Sequence, residues 1–196
     1  MAVSSAYRFI LLHCSRNDTN HMTFLETKIS GVFEIRPELA RDERGFFGRS
    51  WCQKEFAYHG LDSRLVQCNI SGNFRKGTMR GMHYQVAPFA ETKLVRCTRG
   101  SIFDVALDLR PGSSTYKHWA ASVLSAENHH MLSIPEGCAH GFLTLEDHCE
   151  VFYQMSEFYD PESARGVRWN DPAFGIEWPG IAEVISARDA SYPDFA

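Results

Sequence analysis

The chain has 196 residues, 44% hydrophobic and 22% charged, enough to bury a full core without disulfides or a structural metal and far from the composition of a disordered or repeat protein. Twenty basic against 24 acidic residues leave a formal charge of -4 with no block of like charge, which excludes a sequence-independent grip on nucleic acid. Six cysteines (Cys14, Cys52, Cys68, Cys97, Cys138 and Cys149) are scattered singly with no CxxC pair, and they read as reduced thiols of a cytoplasmic protein.

In chain order, the first apolar run, 7–12, is too short to span a bilayer and is interrupted by Arg8, so no membrane partner is expected. Residues 1–22 lack periodicity and are expected to be an N-terminal extension, disordered or non-native, ahead of a single domain at 23–196. From Gly31 onward, short apolar alternations separated by turns such as Arg110-Pro111-Gly112-Ser113 and Tyr159-Asp160-Pro161 predict an antiparallel all-β fold. The best helix is 51–58, with Ser50 as its N-cap and Gly60 near its stop. Further strands are predicted over 94–98, 101–109, 118–124, 131–134, 141–145 and 150–155. Within 101–109, Phe103, Val105, Leu107 and Leu109 share one face, expected to pack between sheets, which leaves Asp104 and Asp108 on the other. About ten strands, with no helix long enough for parallel crossovers, predict a double-sheet jelly roll or cupin-like β-barrel with a few short peripheral helices.

Two tracts carry candidate chemistry. In Lys76-Gly77-Thr78-Met79-Arg80-Gly81-Met82-His83-Tyr84-Gln85, strict alternation sets Arg80 and His83 on opposite faces, so both can serve one pocket only through a bulge at Gly81. In Ile134-Pro135-Glu136-Gly137-Cys138-Ala139-His140-Gly141-Phe142, the P-x-G-x-x-H order is similar to the second half of the cupin motif. The first half reads His83-Tyr84-Gln85 and lacks the second histidine of a cupin metal site, so a barrel without a metal is expected.

Taken with Arg41-Asp42-Glu43-Arg44-Gly45-Phe46-Phe47, Lys93-Leu94-Val95-Arg96-Cys97 and Trp169-Asn170-Asp171-Pro172, these blocks resemble, in order, the dTDP-4-dehydrorhamnose 3,5-epimerase family over about 24–192. The resemblance implies a cupin-like jelly roll without metal or other cofactor, usually a homodimer, acting on a dTDP-linked 4-keto-6-deoxyhexose. A C4 ketone acidifies the hydrogens on C3 and C5, so a base, an enolate stabiliser and an acid on the opposite face suffice to invert either centre. By this resemblance His83 is the base, Asp189 its carboxylate partner, Lys93 the group beside the C4 oxygen and Tyr153 the acid. Arg44 and Arg80 match phosphate-side arginines, Gln67 a polar contact nearby, and Phe47 and Phe158 aromatics near thymine, with Arg44 and Phe47 open to being supplied across a dimer interface. His140 and Asp104 match pocket positions that orient rather than transfer protons. Without the resemblance, Asp189 reads as a solvated tail residue.

The chain departs from the family pattern at Met82, where leucine is commoner, and at Ala164, where glutamate is frequent. Competing readings are an epimerase of C3 alone or of another nucleotide-linked 4-keto-6-deoxy sugar, a non-catalytic sugar-nucleotide binding module and, more distantly, a metal-dependent cupin enzyme.

Overall fold

A computed structural model describes residues 21–195. Cys14 and nearly all of the 1–22 segment lie outside the described residues; Met22, at its end, is buried and opens the first strand. The strands are β1 (Met22–Glu26), β2 (Phe33–Pro37), β3 (Leu39–Asp42), β4 (Gly45–Gly48), β5 (Gln67–Asn73), β6 (Met79–Gln85), β7 (Lys93–Arg99), β8 (Ser101–Asp108), β9 (Trp119–Ser125), β10 (Met131–Ile134), β11 (Cys138–Thr144), β12 (Cys149–Met155) and β13 (Ala164–Gly166). Two short helices complete the described elements: α1 (Gln53–Tyr58) and α2 (Ala187–Ala190). One sheet runs β1-β2-β10-β7-β12-β5, the other β13-β6-β11-β8-β9, and β3-β4 is a separate hairpin. All these pairings are antiparallel, as the short turns and missing crossover helices predict.

The main core lies between the sheets, where Val95, Leu132, Ile134 and Val151 from one face meet Ile102, Ala106, Leu124 and Phe142 from the other. The face assignment for β8 is the reverse of the one expected. Its Ile102, Asp104 and Ala106 side faces the opposing sheet, while Phe103, Val105 and Leu107 are covered by Val167, Phe174, Trp178 and Phe195 of the C-terminal segment. A strand buried on both faces defeats a rule that assigns the more apolar side inward. The C-terminal segment is pinned by Asp171, buried, whose carboxylate accepts from the N–H groups of Ala173 (2.9 Å) and Phe195 (2.7 Å).

Helix α1 covers the outer face of the first sheet, with Phe56 packed against Met22, Ile35, Leu94 and Met131. Its N-cap is Cys52, not Ser50, and no side chain caps it; Gly60, at φ +71°, supplies the expected stop. Among the described residues Cys52, Cys68, Cys97, Cys138 and Cys149 are free, and burial pushes the thiols of Cys97 and Cys138 up to about 12. No helix among the described residues is long and apolar enough to cross a membrane.

Candidate active site

A cavity of about 550 Å³ opens at one end between the sheets, lined by β5, β6, β7, β11, β12 and the chain around β13. Strand β6 supplies two of its polar groups by breaking the alternation. Its register against β11 pairs His83 with His140 and Arg80 with Phe142, so that Gly81 and Met82 together oppose Gly141. This is the bulge the sequence required, and Arg80 and His83 both line the cavity. Met82 packs instead behind the sheet with Val105 and Leu107. Gly81 adopts φ +119°, and a Cβ there would lie 2.5 Å from the Gly141 Cα and 2.7 Å from the His140 carbonyl oxygen. Only glycine fits this position.

Helix α2 brings the tail back to the same spot. Ser186 caps it by accepting from the Asp189 N–H at 3.0 Å, and this turns the Asp189 carboxylate toward β6. Asp189 Oδ1 lies 2.7 Å from His83 Nε2, and Oδ2 accepts from the Gly81 N–H at 3.3 Å. Burial pushes the Asp189 carboxyl up, but the hydrogen bond and charge of His83, with the Gly81 N–H and the Ser186 hydroxyl, outweigh it and hold the group below the usual carboxylate range. A carboxylate on Nε2 fixes the ring's orientation and leaves Nδ1 as the nitrogen able to take a proton.

Lys93, at the start of β7, reaches the cavity with its stem buried. Its Nζ lies 2.6 Å from Glu91 Oε1 and donates to the His83 carbonyl at 3.2 Å. His140 faces the cavity from β11, and its Nε2 is 2.7 Å from Oδ1 of the fully buried Asp104 behind it. Burial pushes the Asp104 carboxyl up, only partly offset by His140 and Lys93. Tyr153 projects from β12; burial raises its hydroxyl, and the Arg80 charge works against that shift. Arg80 is aimed by Asn73, whose Oδ1 accepts from its Nε at 2.7 Å. Gln67 also lines the cavity, its Oε1 accepting from the Tyr159 N–H at 3.0 Å.

His83, Lys93, Tyr153, His140, Arg80 and Gln67 are therefore gathered around one cavity, with Asp189 and Asp104 each holding a histidine of its wall. Three expected residues are not. Phe158 is 57% exposed and does not line the cavity, although its carbonyl accepts from the Gln85 amide; its neighbour Tyr159 does line it. Arg44 and Phe47 sit on the β3-β4 hairpin, outside both large sheets, where Arg44 pairs with Asp42 at 2.6 Å and Phe47 is 68% exposed. Neither reaches the cavity of its own chain.

The sequence reading missed Glu91, Asn69, Tyr159, Arg165 and Arg188, all of which line the cavity. A signal existed for two of them: Arg188 immediately precedes Asp189, and Glu91 stands two residues before Lys93. Ala164 lines the wall and pairs with Gln85, so the departure from glutamate falls inside the site. Among the described residues no group of three or more His, Cys, Asp or Glu is arranged to hold a metal ion.

Comparison with known proteins identifies the family. The family profile described as dTDP-4-dehydrorhamnose 3,5-epimerase matches residues 26–196. The dTDP-4-dehydrorhamnose 3,5-epimerase of Sinorhizobium fredii is 44% identical over 177 residues, covering 90% of this chain and 91% of the relative. The crystal structure of the Bacillus anthracis dTDP-4-dehydrorhamnose 3,5-epimerase, with TDP and PPi bound, superposes with a TM-score of 0.86 at 39% identity, over 89% of this chain and all of that one. A Legionella pneumophila dTDP-6-deoxy-D-glucose-3,5-epimerase, solved with dTDP-4-keto-L-rhamnose, gives 0.83 at 38% identity over 88% of this chain and 92% of its own. With its sequence and its jelly-roll fold both matching these relatives, the chain belongs to the dTDP-4-dehydrorhamnose 3,5-epimerase family.

Proposed function

We propose that this protein epimerises C3 and C5 of dTDP-4-dehydro-6-deoxy-D-glucose, giving dTDP-4-dehydro-L-rhamnose, with His83 as the base. The observation that carries the assignment of roles is the 2.7 Å contact between His83 and Asp189 at the wall of a cavity that also holds Lys93 and Tyr153. His83 takes the proton from the carbon beside the ketone and becomes imidazolium, its charge balanced by Asp189. The C–H electron pair moves into a carbon–carbon double bond of the enolate and negative charge grows on the C4 oxygen, where the largely buried Lys93 ammonium opposes it. Tyr153 returns a proton to the opposite face of the same carbon and becomes tyrosinate. Exchange with solvent moves the proton from His83 back to Tyr153, and the sequence repeats at the second carbon.

For the nucleotide end, Arg80, Arg165 and Arg188 offer guanidinium forks to a diphosphate, and Tyr159 offers a ring on which a base can stack. The exposed Arg44 and Phe47 hairpin supports a homodimer in which each copy extends these groups toward its partner's site. No step calls for a redox cofactor, and the enzyme is assigned to the cytoplasm. Incubation with dTDP-4-dehydro-6-deoxy-D-glucose should yield the L-configured ketosugar by NMR. Inversion at C3 alone would reassign the chain to C3 epimerisation, and no conversion despite dTDP binding would make it a binding module.

A further inference from the structure

Glu91 is a buried carboxylate whose presence the fold does not explain. Its side chain is 2% exposed, Oε1 holds the Lys93 ammonium at 2.6 Å, and Oε2 is buried without a hydrogen-bond partner. Burying such an ion pair is no more stabilising than packing apolar groups of the same volume, and an unpaired carboxylate oxygen adds a further cost. The geometry around Lys93 gives the carboxylate a use. An ammonium carries three hydrogens in fixed tetrahedral directions; Glu91 takes one, and the carbonyl of His83 takes a second at 3.2 Å. The third is left for the cavity that Lys93 lines. The acceptor carbonyl belongs to the residue read above as the base, so the same tether references the ammonium to the point of proton abstraction.

We propose that Glu91 is a positioning residue: by fixing and charge-balancing the Lys93 ammonium, it aims that group at the oxygen that becomes negative during enolisation. The proposal rests on the assignment of Lys93 to that oxygen. Glu91 itself touches no reacting atom; it works through Lys93. The charged and titratable groups facing the pair are Asp104 on β8, His140 on β11, His83 on β6 and Tyr153 on β12, with Arg80 beyond Tyr153. With Glu91 removed, Asp104 is a carboxylate whose charge still reaches Lys93, with its Oδ1 bonded to His140 and its Oδ2 buried without a hydrogen-bond partner.

The isosteric change Glu91→Gln keeps volume and one acceptor but removes the charge. It should lower kcat by roughly tenfold to a hundredfold, the scale of a misplaced catalytic group, while dTDP affinity stays within about twofold. The alkaline limb of the pH profile of kcat should move to lower pH, because a largely buried ammonium deprived of its counter-ion releases its proton more readily. In a Lys93→Met background the same substitution should cause no further loss. Wild-type kcat and pH profile in Glu91→Gln, or an equal loss with and without Lys93, would overturn the proposal. An NMR titration of the Lys93 side chain in both proteins needs no turnover and separates the two readings. A titration midpoint unchanged by Glu91→Gln removes the positioning role, whereas a shifted midpoint in a protein that does not convert the ketosugar retains the pair and removes the epimerase assignment.

Discussion

His83 and Asp189 stand 106 positions apart in the chain and 2.7 Å apart in the fold. The second oxygen of the same carboxylate accepts the Gly81 N–H, so one side chain from the C-terminal helix ties together the imidazole and the bulge that turns it toward the cavity. The tail is thereby part of the site, and capping of α2 by Ser186, a local sequence feature, decides where a distant histidine is held.

Asp189→Asn tests that tie. The amide can occupy the same space but cannot balance an imidazolium, and it favours the wrong tautomer, so kcat should fall about a thousandfold or more with dTDP binding retained. Steady-state kinetics and calorimetric titration with dTDP measure both. A loss of binding equal to the loss of rate would mean the carboxylate holds the cavity's shape instead.

Tyr153→Phe separates abstraction from return of the proton. The base and Lys93 remain, so in D2O the substrate should still take up deuterium, delivered by His83 to the face from which the proton left, while formation of inverted product falls about a hundredfold or more. NMR distinguishes labelled substrate from epimer. Unchanged inversion would assign the acid elsewhere.

Gly81→Ala should destabilise the fold by about 3 kcal/mol, because an added Cβ meets backbone rather than a movable side chain and the residue holds a positive φ. Denaturant unfolding measures the change. Met82→Leu, by contrast, conserves volume in the cluster behind the sheet and should cost about 1 kcal/mol or less.

Asp108 closes the turn between β8 and β9, accepting from Arg110, Ser113 and Thr115. Burial pushes its carboxyl up, but these hydrogen bonds more than offset burial and hold it well below the ordinary carboxylate range. A depressed native value contributes stability that is complete above the unfolded carboxyl's titration and is lost as pH falls through the native one. Asp108→Asn should therefore cost about 3 kcal/mol at neutral pH, with the difference from wild type shrinking as pH drops below about 4. Urea midpoints measured across that range provide the comparison.

The sheet architecture was legible because turn residues and period-two alternation are local. Strands β7 to β12 fall close to where the sequence puts them, and the Gly81 bulge follows from asking how Arg80 and His83 could share a pocket. What failed depends on contacts distant in sequence. The faces of β8 were reversed because Val167, Phe174, Trp178 and Phe195 cover what would otherwise be a solvent side. Tyr159 lines the cavity and the expected Phe158 does not, and the chain leaving β12 is irregular and carries no alternation from which to read which of the two turns inward. Asp189 was identified by resemblance, since nothing in Ser186-Ala187-Arg188-Asp189 predicts its return to β6. Glu91 went unnoticed although it lies two residues from Lys93, because the burial that makes a carboxylate exceptional is not visible in sequence.

The most direct test of the account is deuterium entry from D2O at C3 and C5 of dTDP-4-dehydro-6-deoxy-D-glucose, followed by NMR for wild type and His83→Ala. The account predicts exchange at both carbons in the wild type and its loss by orders of magnitude in the variant, with dTDP binding intact. Exchange that persists in His83→Ala, or none in the wild type, would contradict it.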